Sequence, residues 1–261
     1  MKLLITNDDG VYAPGIIALA SFFAGRGNEC VVVAPDRERS SVGHAITLNR
    51  PLRLWEVQSA HYPANCRAYA CDGTPSDSVL LGLEEIMPEP DLVLSGINSG
   101  PNLGDDLTYS GTVSAAMEGL IHGHSSLAFS LDIREGGAGP HYATAAMVAG
   151  HIVDHLGDSP LPEGVLLNVN VPNLPVAELE GLRITRKGVR LYRGKVNRIK
   201  DPAGRECWWV SGRVEDRLEE GSDVWAVANG QVSVTPVHMD MTHFPSIDVL
   251  ASGGLEKINF K

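Results

Sequence analysis

Continuous apolar runs alternate with longer mixed segments along roughly the first 170 residues of the chain. The runs at 2–6 and 29–34 carry apolar residues at consecutive positions rather than at every second one. Such runs are typical of strands that are buried on both faces of a parallel sheet. Further strands of this kind are predicted at 91–95, 126–130 and 165–171.

The segments between these runs carry the signals of helix starts and ends. Pro14 suits the first turn of a helix, and the pair Thr74-Pro75 combines a capping side chain with proline at the first helical position. The predicted helices span about 14–25, 74–86, 111–121 and 142–156. Strands and helices that alternate in this way indicate a doubly wound α/β domain with a mostly parallel sheet.

The pattern changes beyond about residue 180, where short strand-like runs lie in a basic stretch that is rich in aromatic residues. The runs at 207–210, 224–227 and 231–234 predict antiparallel strands. We interpret about 186–235 as a β-rich arm within a single domain that spans 1–261. Exposed aromatic residues at this density predict that the arm packs against a second subunit.

Composition narrows the class of protein without identifying its chemistry. No apolar run reaches the ~18 residues of a membrane-spanning helix, and we expect no secretory signal because the first residues lack a basic region followed by a long apolar stretch. The net charge of −11 disfavours binding to nucleic-acid polymers, although a bound cation would still allow a small anionic substrate. Four scattered cysteines favour reduced thiols over a Cys66–Cys71 bridge, and the cytoplasm is the expected location.

Polar side chains gather where the predicted strands end, which is where open α/β sheets bind their ligands. Asp8 and Asp9 follow the first strand, and hydroxyl and amide side chains follow the two neighbouring ones. Adjacent carboxylates repel each other unless a cation neutralises them, and hard oxygen ligands suit Mg²⁺ or Mn²⁺. The alternative is that the pair caps the following helix or lies in a solvated turn.

A second candidate is the predicted helix start at 109–113, Tyr-Ser-Gly-Thr-Val. Free backbone N–H groups and the hydroxyls of Ser110 and Thr112, on either side of Gly111, suit a phosphate group. The alternative is simple N-capping by Ser110 or Thr112. For Asp105 and Asp106 we favour a solvated or hydrogen-bonded role in their loop, whereas His44 and His243 are possible acid–base groups.

Several long motifs occur in one order along the chain. They are Asn-Asp-Asp-Gly at 7–10, Ala-Pro-Asp-Arg-Glu-Arg-Ser at 34–40, Gly-Thr-Pro-Ser-Asp at 73–77 and a stretch at 95–118. On these motifs the chain resembles the SurE survival-protein family of 5′/3′-nucleotidases along nearly its whole length. The resemblance implies a Rossmann-like core and a metal site formed by Asp8, Asp9, Ser40 and Asn98.

The resemblance also implies an activity and an assembly. It implies a phosphatase that acts on nucleoside 5′- and 3′-monophosphates and on short polyphosphate, with one Mg²⁺ or Mn²⁺ per subunit. The expected assembly is a homodimer or homotetramer with exchanged C-terminal elements. We expect attack by metal-activated water, with Asp8 and Asp9 as catalytic ligands. The residues expected to hold the phosphate group are Asn102, Ser110, Gly111 and Thr112.

The resemblance weakens after about residue 186. Asp240 and His243 lie three positions apart, whereas family members carry an Asp and a His four apart, so the sequence assigns this pair no role.

Two other classes of protein fit parts of the pattern. A metal-dependent deacetylase can also place paired aspartates after its first strand, but its zinc site usually requires histidine ligands and residue 7 is Asn. A regulatory module that binds nucleotides without turnover is the second alternative. Release of inorganic phosphate with and without metal separates the three classes.

Overall fold

The computed structural model describes residues 1–133, 139–158, 161–194, 196–210 and 212–260. Its strands are β1 Lys2–Thr6, β2 Glu29–Pro35, β3 Leu54–Glu56, β4 Cys66–Cys71, β5 Leu92–Ser99, β6 Ser126–Asp132, β7 Val165–Pro172, β8 Leu182–Ile184, β9 Val189–Arg193, β10 Val196–Lys200, β11 Glu206–Val210, β12 Arg213–Arg217 and β13 Val232–His238. Its α-helices are α1 Pro14–Gly25, α2 Pro75–Leu81, α3 Gly111–Ile121, α4 Tyr142–Asp158, α5 Asp223–Ala228 and α6 Phe244–Ser252. Short 3₁₀-helices span Gly104–Thr108, Val176–Glu178 and Leu255–Lys257, and α2 continues as a π-helix over Gly82–Ile86.

Nine strands form one central sheet in the order β3, β4, β2, β1, β5, β6, β7, β13 and β8. All neighbours from β4 to β7 run parallel, whereas β3 and β13 run antiparallel to β4 and β7. From β1 the chain builds outward through β2 to β4 and then returns to the other side of β1 with β5. The switch point of this doubly wound sheet therefore lies between β1 and β5.

Helices cover both faces of the sheet, and this explains the consecutive apolar residues in its strands. Leu3 and Ile5 pack in the cluster that includes α1 and α4, whereas Leu4 packs on the opposite face with α2. All three are fully buried. The predicted α/β class, with a mostly parallel sheet, is confirmed.

The predicted helices over 14–25, 74–86, 111–121 and 142–156 are all present. Thr74 and Asp77 form a reciprocal capping box, in which each side chain accepts a hydrogen bond from the other residue's backbone N–H. The edge strand β3, its neighbour β4 and the C-terminal helix α6 were not predicted.

The region of the predicted arm contains a long β-hairpin. The antiparallel pairs β9–β12 and β10–β11 follow each other along it, and a turn at 201–205 connects β10 to β11. One strand prediction in this region is wrong, and another is confirmed as a strand of the central sheet. Residues 224–227 are helical rather than extended, because Ser222 caps α5 and its apolar face packs on Leu103. Residues 231–234 contribute to β13, which pairs with β7 in the central sheet rather than within the hairpin.

The four cysteines are all free thiols, so the alternative of a Cys66–Cys71 bridge is wrong. Both residues lie in β4, one at each end of the same extended strand. Within the described ranges, none of the helices has the length and apolar character needed to cross a bilayer.

Candidate active site

The residues predicted from the strand ends meet beside the switch point between β1 and β5. They line an open cavity of about 730 Å³. Six of the predicted site residues line it, namely Asp8, Asp9, Ser40, Asn98, Asn102 and Ser110. The remaining lining residues are Glu38, Ser41, Ser99, Pro101, Asp106, Tyr109, Tyr192, Val210 and Gly212.

Asp8 is held against the first turn of α3. Its side chain accepts a hydrogen bond of 2.5 Å from the Thr112 hydroxyl, and only 5% of the residue is exposed. Gly111 permits this approach, because a Cβ there would lie 2.8 Å from the Cβ of Asp8. Gly111 and Thr112 therefore position a carboxylate in this structure, while Ser110 faces the cavity.

The turn after β1 is closed by Asn7, a residue that the sequence analysis did not assign to the site. Its amide exchanges two hydrogen bonds with the backbone of Gly10, which has a φ of 100°. Glycine adopts this conformation without steric cost. At the other side of the switch point, Asp9 accepts a hydrogen bond of 2.9 Å from the backbone N–H of Ser99. These contacts fix both carboxylates relative to β1 and β5.

The ionised forms of Asp8 and Asp9 are destabilised by burial and by neighbouring negative charges. Burial raises the pKa of Asp8 from 3.8 to about 6, the charge of Asp9 adds to the rise, and the hydrogen bond from Thr112 opposes it. Burial also raises the pKa of Asp9, and nearby Glu38 raises it further. Among the described residues, no Lys or Arg contributes to either pKa. A cation bound between the carboxylates would relieve both penalties.

Oxygen atoms from two neighbouring loops flank the carboxylates. The Nδ2 of Asn98 donates to the carbonyl of Gly100 at 2.8 Å, which leaves Oδ1 as its available ligand atom. Ser40 donates its hydroxyl hydrogen to Glu38 at 2.5 Å and retains its oxygen lone pairs. Carboxylate, amide and hydroxyl oxygens fit a hard divalent cation. A cluster of three His, Cys, Asp or Glu residues suited to a metal is not found in the described part of the chain.

Ser110 and Asn102 are the predicted phosphate residues that line the cavity. The Ser110 hydroxyl accepts from the backbone N–H of Val113 at 3.0 Å, so the N-capping alternative is observed. This bond leaves the hydroxyl hydrogen free to be donated to a ligand. Asn102 is fixed by Asn170 and Ser130, which bond its backbone N–H and its Nδ2 at 2.8 and 2.7 Å.

The hairpin contributes one wall of the cavity through Tyr192, Val210 and Gly212. The Tyr192 hydroxyl donates to Asp106 Oδ1 at 2.5 Å, and Arg190 donates to Asp106 Oδ2 at 2.9 Å. The expected loop role of Asp106 as a hydrogen-bonded residue is confirmed. Tyr192 was missed as a site residue because its partner lies 86 positions away, and no local signal marks the contact.

The remaining candidates lie outside the lining of this cavity. His44 and His122 both contact the carboxylate of Glu118, at 2.7 and 3.1 Å. Asp240 accepts from the backbone N–H of Thr242, and His243 contacts Ser246 in the first turn of α6. Glu38, by contrast, does line the cavity and was not predicted as a site residue. It lies two residues before Ser40 in the motif at 34–40.

Comparisons with known proteins agree with the motifs. Residues 3–194 match the family described as "Survival protein SurE". The chain is 48% identical to the 5′-nucleotidase SurE of Geobacter metallireducens, across 96% of each chain. It is 47% identical to the 5′-nucleotidase SurE of Geobacter sulfurreducens, across 98% of this chain and 94% of that relative. The crystal structure of the SurE protein from Aquifex aeolicus superposes with a TM-score of 0.81 at 42% identity, across 97% of this chain and 99% of that one. The chain belongs to the SurE family.

Proposed function

We propose that this chain is a phosphatase that hydrolyses nucleoside 5′- and 3′-monophosphates to nucleoside and phosphate. The observation that carries the proposal is the pair of adjacent carboxylates, Asp8 and Asp9, which lie without a cationic partner among the described residues beside the hydroxyl of Ser110. The names of the Geobacter relatives support a nucleotide substrate. Short polyphosphate is a further proposed substrate, since it presents the same phosphoryl oxygens.

The proposed cofactor is one Mg²⁺ or Mn²⁺ per chain, held by Asp8, Asp9, Ser40 and Asn98. When bound, such an ion supplies positive charge for phosphate oxygens and lowers the pKa of a coordinated water. The protein's own residues orient the reactants. Thr112 and Ser99 each hold one of the two carboxylates in place. Ser110 and Asn102 bind the phosphate oxygens, whose negative charge must be stabilised as the bond to the nucleoside breaks.

The test is release of inorganic phosphate from adenosine monophosphate, with Mn²⁺ or Mg²⁺ and with a chelator. We expect release with either metal and loss of release with the chelator. Full activity in the chelated protein would contradict the metal proposal. Nucleotide binding without phosphate release would support the regulatory module. A deacetylase is disfavoured because the described lining of the cavity contains no histidine.

Replacing Gly111 by Ala is expected to lower kcat/KM at least tenfold. The added Cβ would lie 2.9 Å from Asp8 Oδ2, so the carboxylate has to move, and small displacements of positioned groups are costly for catalysis. Gly25→Ala is the matched control, because no heavy atom lies within 4 Å of the added Cβ. Steady-state kinetics and thermal melting of both variants check the prediction. Equal activity of the two variants would show that the position of Asp8 is not critical.

We also propose that the protein works as a homodimer or homotetramer in the cytoplasm. Trp208 and Trp209 on the hairpin are 61% and 64% exposed, and aromatic residues at this exposure usually mark an interface. Sedimentation at micromolar concentration is expected to give at least twice the chain mass of 27.9 kDa. A particle of single-chain mass would contradict this proposal.

A further inference from the structure

The cavity has two chemically different sides. The side at the ends of β1 and β5 carries Asp8 and Asp9. The other side is formed by the hairpin and by the end of the 3₁₀-helix at Gly104–Thr108, and it offers rings and apolar surface from Tyr109, Tyr192 and Val210. A ligand whose phosphate reaches Ser110 and the cation proposed at Asp8 and Asp9, and whose other end is flat and aromatic, matches this arrangement.

Tyr109 is an exposed ring on a fixed backbone. It is 65% exposed although it directly precedes Ser110, the cap of α3. Its backbone N–H donates to the Asp106 carbonyl at 2.9 Å, and its carbonyl accepts from Gly43 at 3.1 Å. The ring is therefore presented from a rigid turn next to a proposed phosphate-binding residue. An exposed aromatic ring placed in this way gains free energy when a flat ligand covers it.

Tyr192 offers its ring rather than its hydroxyl. The hydroxyl donates to Asp106, whose second oxygen accepts from Arg190. Burial and the negative charge of Asp106 raise the pKa of Tyr192 to about 12, so the hydroxyl keeps its proton at neutral pH. Arg190 also bonds Asp216 at 2.8 Å and thereby ties β9 to β12. This network holds the ring against the cavity without leaving the hydroxyl for a ligand.

Val210 completes the apolar side of the cavity. It is 80% exposed at the end of β11 and lies near Gly212, which has no side chain to cover it. Such an exposed apolar residue in a cavity wall is typical of a surface that a ligand covers.

We infer that Tyr109, Tyr192 and Val210 form the subsite for the nucleobase, with Tyr109 as the ring on which the base stacks. The inference rests on the proposed function, since it identifies where the nucleoside of the substrate lies. Stacking of one base on an aromatic side chain typically changes affinity between about fivefold and a hundredfold.

The experiment compares adenosine monophosphate with ribose 5-phosphate, which carries the same sugar phosphate without a base. Calorimetric titration of the metal-loaded protein with the non-hydrolysable phosphonate analogue of each ligand gives affinities, and phosphate release from the ligands themselves is measured separately. Tyr109→Ala is expected to weaken binding of adenosine monophosphate about tenfold and binding of ribose 5-phosphate less than twofold. Tyr109→Phe keeps the ring and is expected to bind both ligands within twofold of the unchanged protein. Trp55→Ala, a change of another exposed aromatic residue outside the cavity, is the matched control.

The possible outcomes separate the inference from the proposed function. Unchanged affinity for adenosine monophosphate in Tyr109→Ala overturns the subsite, as does an equal loss for both ligands. A protein that shows the predicted difference in affinity but releases no phosphate supports the subsite and overturns the phosphatase.

Discussion

Asp8→Asn is expected to lower phosphate release roughly a thousandfold, the order of loss that follows removal of a preorganised charged or polar catalytic group. The amide keeps the size of the side chain and an oxygen that can accept the Thr112 hydroxyl. It removes the negative charge that would bind the cation. The same substitution is expected to make the metal-free protein more stable at neutral pH, because the ionised carboxylate is buried.

The effect on stability has a defined pH dependence. The pKa of Asp8 rises from 3.8 in the unfolded chain to about 6 in the folded protein. Below pH 3.8 the group is protonated in both states and destabilises neither. As the pH rises from 3.8 to about 6, the unfolded chain releases this proton more readily than the folded protein, so the free energy of unfolding falls. Above about pH 6 the carboxyl is ionised in both states and the loss is constant. At ~1.4 kcal/mol for each tenfold change in proton affinity, the loss is on the order of 3 kcal/mol.

Thermal melting between pH 4 and pH 8 in the presence of a chelator checks this prediction. The melting temperature of Asp8→Asn relative to the unchanged protein is expected to increase across this range and to reach a plateau of several degrees. Added Mn²⁺ should stabilise only the unchanged protein and reduce the difference. Asp154→Asn is the control, because Asp154 is exposed in an ion pair with Arg26. If Asp8→Asn is no more stable at pH 8 than the unchanged protein, burial of the ionised Asp8 carboxylate does not destabilise the fold.

Hydrolysis is expected to invert the configuration at phosphorus, with no covalent intermediate. Asp8 already accepts from the Thr112 hydroxyl at 2.5 Å, and Asp9 accepts from the backbone N–H of Ser99 at 2.9 Å. Each carboxylate is held by a hydrogen bond to one of its oxygens, and the lone pairs of an aspartate that binds a cation are engaged, so its nucleophilicity falls. A single direct displacement by water inverts the phosphoryl group, and two successive displacements retain it.

A substrate with a chiral, isotopically labelled phosphoryl group measures this outcome. Acid quenching during turnover provides an independent check, since an aspartyl-phosphate would be trapped on the chain. Retention of configuration, or label on Asp8 or Asp9, would make that aspartate the nucleophile. Ser40→Ala serves as a comparison, because it removes a proposed ligand without changing either carboxylate and should lower the rate with inversion preserved.

The sequence by itself determined the parts of the protein that depend on neighbours along the chain. The buried strands follow from consecutive apolar residues, since both faces of β1 and β2 pack on helices. The start of α2 follows from Thr74 and Asp77, which bond each other within a single turn. The adjacent Asp8 and Asp9 at a strand end, together with the rule for open sheets, indicated which edge of the sheet carries the site.

Only the tertiary structure decided the contacts that join distant segments. Thr112 bonds Asp8 across 104 positions, Ser99 bonds Asp9 across 90, and Tyr192 bonds Asp106 across 86. No local pattern encodes such pairs, because the topology of the sheet and hairpin brings them together. The same reason explains the strand wrongly predicted at 224–227. Its valines and tryptophan favour a strand locally, but packing of Val224 and Val227 on Leu103 selects the helix.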